Sequence, residues 1–181
     1  MATQALTVDG VSGDTGNFTV SEEDGTIVSV VSDGSTSSHI TPTSPDKTLV
    51  FSLQGVSDFS VLSGATIQQV LVAFQVSQIG KGAVNFTGQL LDSSDSVLVT
   101  DDFGTSESSA TGFELTAYGP DSGISESTLN GMQVKYVTTN ETQPRLYTIT
   151  ATVTYVAAAA VTNQITISSG ALTMSTGEIT I

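Results

Sequence analysis

The sequence predicts an all-β protein: an antiparallel two-sheet β-sandwich of jelly-roll-like type, with an extended N-terminal arm and a short repetitive β tail at the C-terminus. Val, Ile, Thr and Ser dominate the 181 residues, and strong helix formers are sparse. Several segments alternate apolar and polar side chains with a period of two, which is typical of half-buried antiparallel strands. Turn dipeptides such as Asp9-Gly10 and Asp33-Gly34 separate short apolar segments.

Residues 1–47 predict the N-terminal arm of short strands and tight turns. Apolar segments at 6–8, 18–20 and 27–31 lie among Gly, Ser, Asp and Thr residues. We expect each of them, including 27–31, to form a short strand. Strands this short need support from another part of the protein.

Residues 48–156 predict the β-sandwich domain. Its longest alternating segment is 67–79, and residues 84–90 alternate in the same way. Between them, the glycines at 80 and 82 predict a tight hairpin, because glycine adopts positive φ angles without steric cost. The polar segment 92–95 predicts the next turn.

A short helix is expected at residues 125–131. Ser125 suits the N-cap, and Gly131 suits the left-handed position that follows a helix. The last long strand is predicted at 145–156, with apolar residues pointing inward. Its outward positions carry a row of threonines that we expect to face solvent or a partner: Thr148, Thr150, Thr152 and Thr154.

The charge balance excludes several partners. The chain has 18 acidic and four basic residues, a net charge of −14. Nucleic acids and anionic membranes both select for clustered Lys and Arg, so we expect neither as a partner. The sequence has no run of about 18 apolar residues for a membrane helix. Residues 1–5 lack the features of a secretory signal, so we expect synthesis and folding in a cytoplasm.

No group of residues predicts catalysis, a metal site or a cofactor, and we expect a protein that is not an enzyme. His39 is the only histidine, and the sequence contains no nucleophile-elbow motif. A zinc site needs more His or Cys ligands, and the chain has no cysteine. Asp9, Asp14 and Asp24 lie among Gly-rich turns, which leaves calcium binding open beside the simpler interpretation of solvated turn acids. The acidic pair at 101–102 is equally compatible with a solvated loop.

The order of strands and turns in the middle of the chain resembles a known type of module. The segments that carry the resemblance are LSGATIQQVLVAFQV (62–76), VNFTGQLLDSSDSV (84–97), GFELTAYG (112–119), ISESTLNGMQVKYV (124–137) and RLYTITATVTY (145–155). They are similar to β-sandwich modules of virion structural proteins in tailed bacteriophages and of some bacterial surface proteins. The resemblance covers residues 48–156. Such modules often begin with a Trp-containing loop, which this chain lacks, so no ligand contact is carried over from it.

The third predicted region, 157–181, is an Ala-rich linker followed by a heptad repeat, ITISSGA, LTMSTGE and ITI. Short repeated strands need neighbours to cover their apolar side chains. We favour packing between chains over packing on the chain's own sandwich or the absence of a fixed structure. Similar repeats in fibrous phage proteins wind three chains together, which implies a homotrimer. The expected assembly residues are Ile165, Ile167, Leu172, Met174, Ile179 and Ile181.

These observations favour a structural role. The leading hypothesis is a phage virion protein, either a capsid decoration protein or a tail or fibre component, which acts by trimeric assembly and binds other virion proteins. The alternative is a receptor- or glycan-binding adhesion module that uses its sandwich loops to contact a host surface glycan.

Overall fold

The computed structural model describes residues 1–22, 25–55, 59–79, 82–119, 124–139, 144–158, 165–168 and 171–174. These residues form strands and short helices in the following order: β1 Ala2–Leu6, β2 Val8–Gly13, β3 Phe18–Val20, α1 Ile27–Ser32, β4 Ile40–Pro42, β5 Thr48–Leu53, β6 Thr66–Gln78, β7 Val84–Leu91, β8 Val97–Thr105, β9 Thr111–Tyr118, α2 Glu126–Leu129, β10 Gln133–Thr138, β11 Pro144–Val156, β12 Ile165–Ser168 and β13 Ala171–Met174. None of the helices within this part of the chain is long and apolar enough to cross a membrane.

Two antiparallel sheets form a sandwich, as the sequence predicts. Sheet I has the strand order β3-β4-β11-β6-β9, and β1 also pairs with β11. Sheet II has the order β2-β5-β10-β7-β8. Strands from residues 1–47 therefore join both sheets and pair with strands that follow residue 47. The division of the chain into arm, sandwich and tail stays a prediction.

The connection between β6 and β7 differs from the predicted hairpin. β6 pairs with β11 and β9 in sheet I, whereas β7 pairs with β10 and β8 in sheet II. The segment at 80–82 thus leads from one sheet to the other, and residues 80 and 81 lie outside the described part. Alternation shows that each strand buries one face, but it does not identify the neighbouring strand, so the hairpin interpretation was wrong.

Residues 27–31, expected as a strand, form most of helix α1. The Thr26 side chain accepts a hydrogen bond from the backbone N–H of Ser29, and the Ser29 hydroxyl accepts one from the backbone N–H of Thr26. This reciprocal capping fixes the first turn. Ile27, Val30 and Val31 are buried at helical spacing. Local capping and tertiary burial together override the high strand propensity of Ile and Val.

The second short helix is where the sequence predicts it. Ser125 is the N-cap of α2, and its hydroxyl accepts a hydrogen bond from the backbone N–H of Thr128. Gly131 follows the helix with a φ of 78°, the left-handed conformation that favours glycine. A Cβ at this position would lie 2.8 Å from the Cβ of Ser93, so space also requires glycine here.

The row of threonines on β11 is only partly exposed. A β-bulge between Leu146 and Thr148 interrupts the alternation, and four successive residues, 146–149, are buried. Thr148 is one of them and does not face solvent, although its pairing with Gln75 keeps it on the same sheet face as Thr150. Thr150 is exposed, and Thr152 and Thr154 are half-buried.

An aromatic cluster joins the two sheets in the core. The ring of Phe86 in sheet II lies 5.6 Å from Phe74 and 5.3 Å from Phe113, both of sheet I. It also contacts Phe103 and Tyr136, each at a centroid distance of 5.1 Å. These separations lie in the range in which aromatic pairs attract each other beyond simple burial.

We expect Gly88→Val to lower the free energy of unfolding by about 1–3 kcal/mol, because an added side chain would overpack this cluster. A Cβ at Gly88 would lie 3.0 Å from ring atoms of both Phe74 and Phe103. Urea denaturation measures the change. Gly112→Val in β9 is the matched control, since a Cβ there meets no atom within 4 Å. Equal losses in both variants would contradict the packing argument.

We expect Tyr136→Phe to raise the free energy of unfolding by about 1 kcal/mol, since it removes an unpaired polar group. Tyr136 is fully buried, and within the described part of the chain its hydroxyl has no hydrogen-bond partner. Burial also raises the pKa of Tyr136. Tyr147→Phe is the opposite case, because it removes a buried 2.9 Å hydrogen bond to Ser77 and should destabilise by a similar amount. The same sign for both changes, in thermal or urea unfolding, would refute this account.

Candidate functional site

The candidate site lies on the outer face of sheet II. The register of the sheet aligns one residue from each strand in a row across this face. That row consists of Ser12, Val50, Lys135, Gln89 and Thr100. Because side chains alternate between the two faces of a sheet, the neighbouring residues Gly88 and Tyr136 point into the core.

A second row lies beside the first and contains more apolar groups. It consists of Gly10, Ser52, Gln133, Leu91 and Val97. A β-bulge between Leu90 and Leu91 shifts the pairing at this end of β7. Val97 is 51% exposed and adds an apolar side chain to this end of the row.

Residues from both rows line a groove of about 420 Å³. Its polar lining includes the amides of Gln89 and Gln133, the Lys135 ammonium and the Asp95 carboxylate. Apolar contacts come from Val50, Leu91 and Val97, and Ser12, Gly13 and Thr48 complete the wall.

The groove continues toward the edge strand β2. An adjoining hollow of about 270 Å³ shares Ser12, Val50 and Gln133 with it and extends to Gly10, Val11 and Ser52. Across five strands spaced about 4.8 Å apart, the whole depression spans roughly 19 Å. An elongated ligand could therefore lie across the strands.

The polar groups of the groove differ in how far they are already hydrogen-bonded. The Gln89 amide donates to the hydroxyl of Thr100 over 3.4 Å. Within the described part of the chain, the side chains of Gln133 and Lys135 have no hydrogen-bond partner. A primary amide offers two donors and an acceptor, and Lys offers three donors. The site can thus bind a neutral, hydroxyl-rich ligand by hydrogen bonds.

The tail residues named as assembly residues lie elsewhere. Strands β12 and β13 pair with each other as an antiparallel hairpin, with Ile165 opposite Met174 and Ile167 opposite Leu172. Ile179 and Ile181 lie outside the described residues. The role of all six in assembly stays a prediction, and so does the partner-facing role of the β11 threonines, which belong to sheet I.

His39 lies beside Tyr147, with a distance of 5.5 Å between ring centroids. Burial, and secondly the nearby Arg145 guanidinium, lower the pKa of His39. The Ser77 hydroxyl, which lies near this pair, bonds to the Tyr147 hydroxyl. The Asp14 carboxylate accepts a hydrogen bond from the backbone N–H of Thr48, a structural turn contact. Among the described residues, no three His, Cys, Asp or Glu side chains are grouped to hold a metal.

The groove residues were not among the sites predicted from the sequence. The alternation of residues 84–90 predicts only that every second residue, Gln89 included, faces outward. Alternation supplies the facing direction of each residue, but the groove depends on which strands are adjacent. One feature of the sequence could have indicated the groove. Two Gln and one Lys occupy outward positions of these strands, where Ser and Thr are commoner in this chain.

No protein-family model matches the chain, and no curated protein matches it in sequence. Solved structures with a similar fold include the CBM22-1–GH10 modules of Clostridium thermocellum xylanase Xyn10B, at 15% identity and a TM-score of 0.45, over 87% of this chain and 28% of that one. The CBM22-1 xylan-binding domain of Paenibacillus barcinonensis Xyn10C is 12% identical, with a TM-score of 0.46, and the match covers 86% of this chain and 95% of that one. The enzymatically active domain of bacteriophage CBA120 tailspike protein 4 is 8% identical, with a TM-score of 0.43, and the match covers 84% of this chain and 19% of that one. The chain thus spans less than a third of the Xyn10B and tailspike chains.

Proposed function

We propose that the protein is a non-catalytic glycan-binding module whose binding site is the groove of sheet II. The observation that supports this most directly is the combination of amide, hydroxyl and charged groups with an apolar floor in one open groove. Ligand sites in proteins commonly combine an apolar surface with a few placed polar groups. The site lies on a sheet face, and not in the loops at the end of the sandwich.

The chemistry of a sugar ring matches this lining. Gln89, Gln133 and Lys135 offer donors to ring hydroxyls, and the amide oxygens and Asp95 offer acceptors. The C–H surfaces of a sugar can pack on Val50 and Val97. None of the described residues that line the groove is aromatic. Binding therefore rests on hydrogen bonds and aliphatic contacts, and we infer modest affinity for each site.

The charge of the protein favours a neutral glycan. With a net charge of −14, the molecule repels polyanions such as uronate-rich or sulfated chains. Among the described residues that line the groove, Lys135 is the one cation, and Asp95 belongs to the same lining. Because the depression continues to the β2 edge, we infer that it accepts an internal stretch of an extended chain.

A second candidate is the virion structural role expected from the resemblance, with a homotrimer contacting other capsid or tail proteins. What supports it is the pairing of two successive heptads as a hairpin, which gives the tail the form of a distinct unit. In that case the protein resides in the virion after synthesis in a host cytoplasm. Glycan binding by sheet II is compatible with this role, since a virion component can also contact a host surface.

The glycan proposal predicts that soluble neutral polysaccharides retard the protein in native affinity gels. Xylan, β-glucan and mannan form a suitable first panel. We expect Gln133→Ala to weaken binding to the retained polysaccharide by about 2- to 10-fold, which corresponds to one lost hydrogen bond of about 0.5–1.5 kcal/mol. The double variant Gln89→Ala/Gln133→Ala should bind more weakly still.

Gln75→Ala is the matched control. Gln75 is a half-buried glutamine on β6, which belongs to sheet I, whereas the groove lies on sheet II. If no polysaccharide of a wider panel retards the protein, glycan binding is refuted. Equal weakening by the Gln75 and Gln133 variants would move the site away from sheet II.

A further inference from the structure

An apolar patch lies at one end of sheet I. In the described part of the chain four large apolar side chains are exposed, and three of them lie here: Met1 at 95%, Tyr118 at 56% and Val156 at 46%. Ala2 pairs with Tyr155, so Met1 comes next to Val156. Gln69 pairs with Tyr118 on one side and with Thr154 on the other. Thr154 lies two residues before Val156, so Tyr118 belongs to the same end of the sheet.

A hollow of about 410 Å³ opens beside these residues. It is lined by Ala65, Thr66, Ile67, Gly119, Ile124, Ser125 and Glu126. Thr66 pairs with Val156, and Gly119 follows Tyr118, so the hollow belongs to the same end of the sheet. The Glu126 carboxylate accepts a 2.6 Å hydrogen bond from the backbone N–H of Gly64 and ties α2 to the turn before β6. We call Met1, Tyr118, Val156 and this hollow the sheet-end patch.

The sheet face that leads to the patch is nearly free of charge. Cross-strand rows on this face are Thr3–Thr154–Gln69–Tyr118, Ala5–Thr152–Leu71–Thr116 and Thr150–Ala73–Glu114. Glu114 is their single charged residue, in a protein with 18 acidic residues. Depletion of charge is what distinguishes the centre of a protein interface from other surface.

The tail lacks charge in the same way. No charged residue occurs between Arg145 and Glu178, a stretch that contains most of β11, the linker and the hairpin β12–β13. By register, positions 165, 167, 172 and 174 share one face of the hairpin, and all four are apolar residues. A lone two-stranded hairpin is marginally stable in water, so this face needs a cover.

We propose that the hairpin β12–β13 of one copy docks on the sheet-end patch of a second copy. The patch remains exposed within a single chain that carries its own hairpin, so a second copy is the fitting source. The linker 157–164 begins at the patch, since it follows Val156, and can span at most about 26–29 Å. That reach suffices for a neighbouring sandwich packed alongside.

The contact joins two different surfaces, a tail and a patch, and is therefore heterologous. Heterologous contacts close as rings when the rotation between copies permits. The trimer expected from the heptads is one such ring. This inference does not depend on glycan binding, because the patch belongs to sheet I and the groove to sheet II.

Engineered cysteines test the contact directly, because the chain has none of its own. A Tyr118→Cys variant is mixed with a size-tagged Leu172→Cys variant under mild oxidation. We expect a disulfide-linked mixed product on a non-reducing gel. The control mixture pairs the same tagged variant with Val97→Cys, which is similarly exposed but on sheet II, and should give at least tenfold less product.

Two further measurements test the same contact. Sedimentation velocity of the unmodified full chain should show concentration-dependent association, weakened at least tenfold by Tyr118→Lys and unchanged by Val97→Lys. A monomer at all concentrations overturns the proposal, as does equal crosslinking of the two cysteine mixtures. In the double variant Tyr118→Cys/Leu172→Cys, a disulfide formed only within one chain would assign the patch to the chain's own tail and likewise overturn it. A failed polysaccharide assay affects none of these outcomes.

Discussion

The packing of Phe86 on both sheets is the interaction that the rest of the structure depends on. Its ring contacts Phe74 and Phe113 of sheet I, and Gly88 leaves the space that the neighbouring rings occupy. Gly88 is also paired with Tyr136, so both point inward. The next residue of β7, Gln89, and the preceding residue of β10, Lys135, are consequently paired on the outer face. A shift of register by one residue would bury these polar groups and expose the core, which is why the groove is as firmly determined as the core.

The sequence predicts the strands better than it predicts their neighbours. Period-two alternation identifies β6, β7 and β11, because each strand buries one face in a common core. The same alternation does not tell a hairpin from a crossing between sheets, and so the link after β6 was misassigned. Helix α1 was missed because its apolar residues are β-branched, although the capping contact between Thr26 and Ser29 is local. The groove escaped prediction because it depends on the adjacency of β5, β10 and β7, which are distant in sequence.

Charge differs between the outer face of sheet II and the part of sheet I that leads to the sheet-end patch. The outer face of sheet II and its turns carry Lys135, Asp95 and Asp102, whereas the opposite face carries Glu114 alone in three cross-strand rows. A net charge of −14 keeps whole molecules apart at long range. Association then requires a surface on which little charge must be desolvated. The uncharged stretch between Arg145 and Glu178 provides such a surface on strand β11 and on the tail.

The two proposed surfaces are compatible because they lie on opposite sheets. A tail that docks at the end of sheet I leaves the groove of sheet II open to solvent. None of the described groove residues supplies the large contact area of an aromatic ring, so we expect each single site to bind a glycan with modest affinity. Copies joined through their tails would present several grooves to one polysaccharide chain, and a second binding event within the assembly occurs at high effective concentration. Assembly would therefore compensate for the weakness of the single site, which gives a physical reason for both features to occur in one chain.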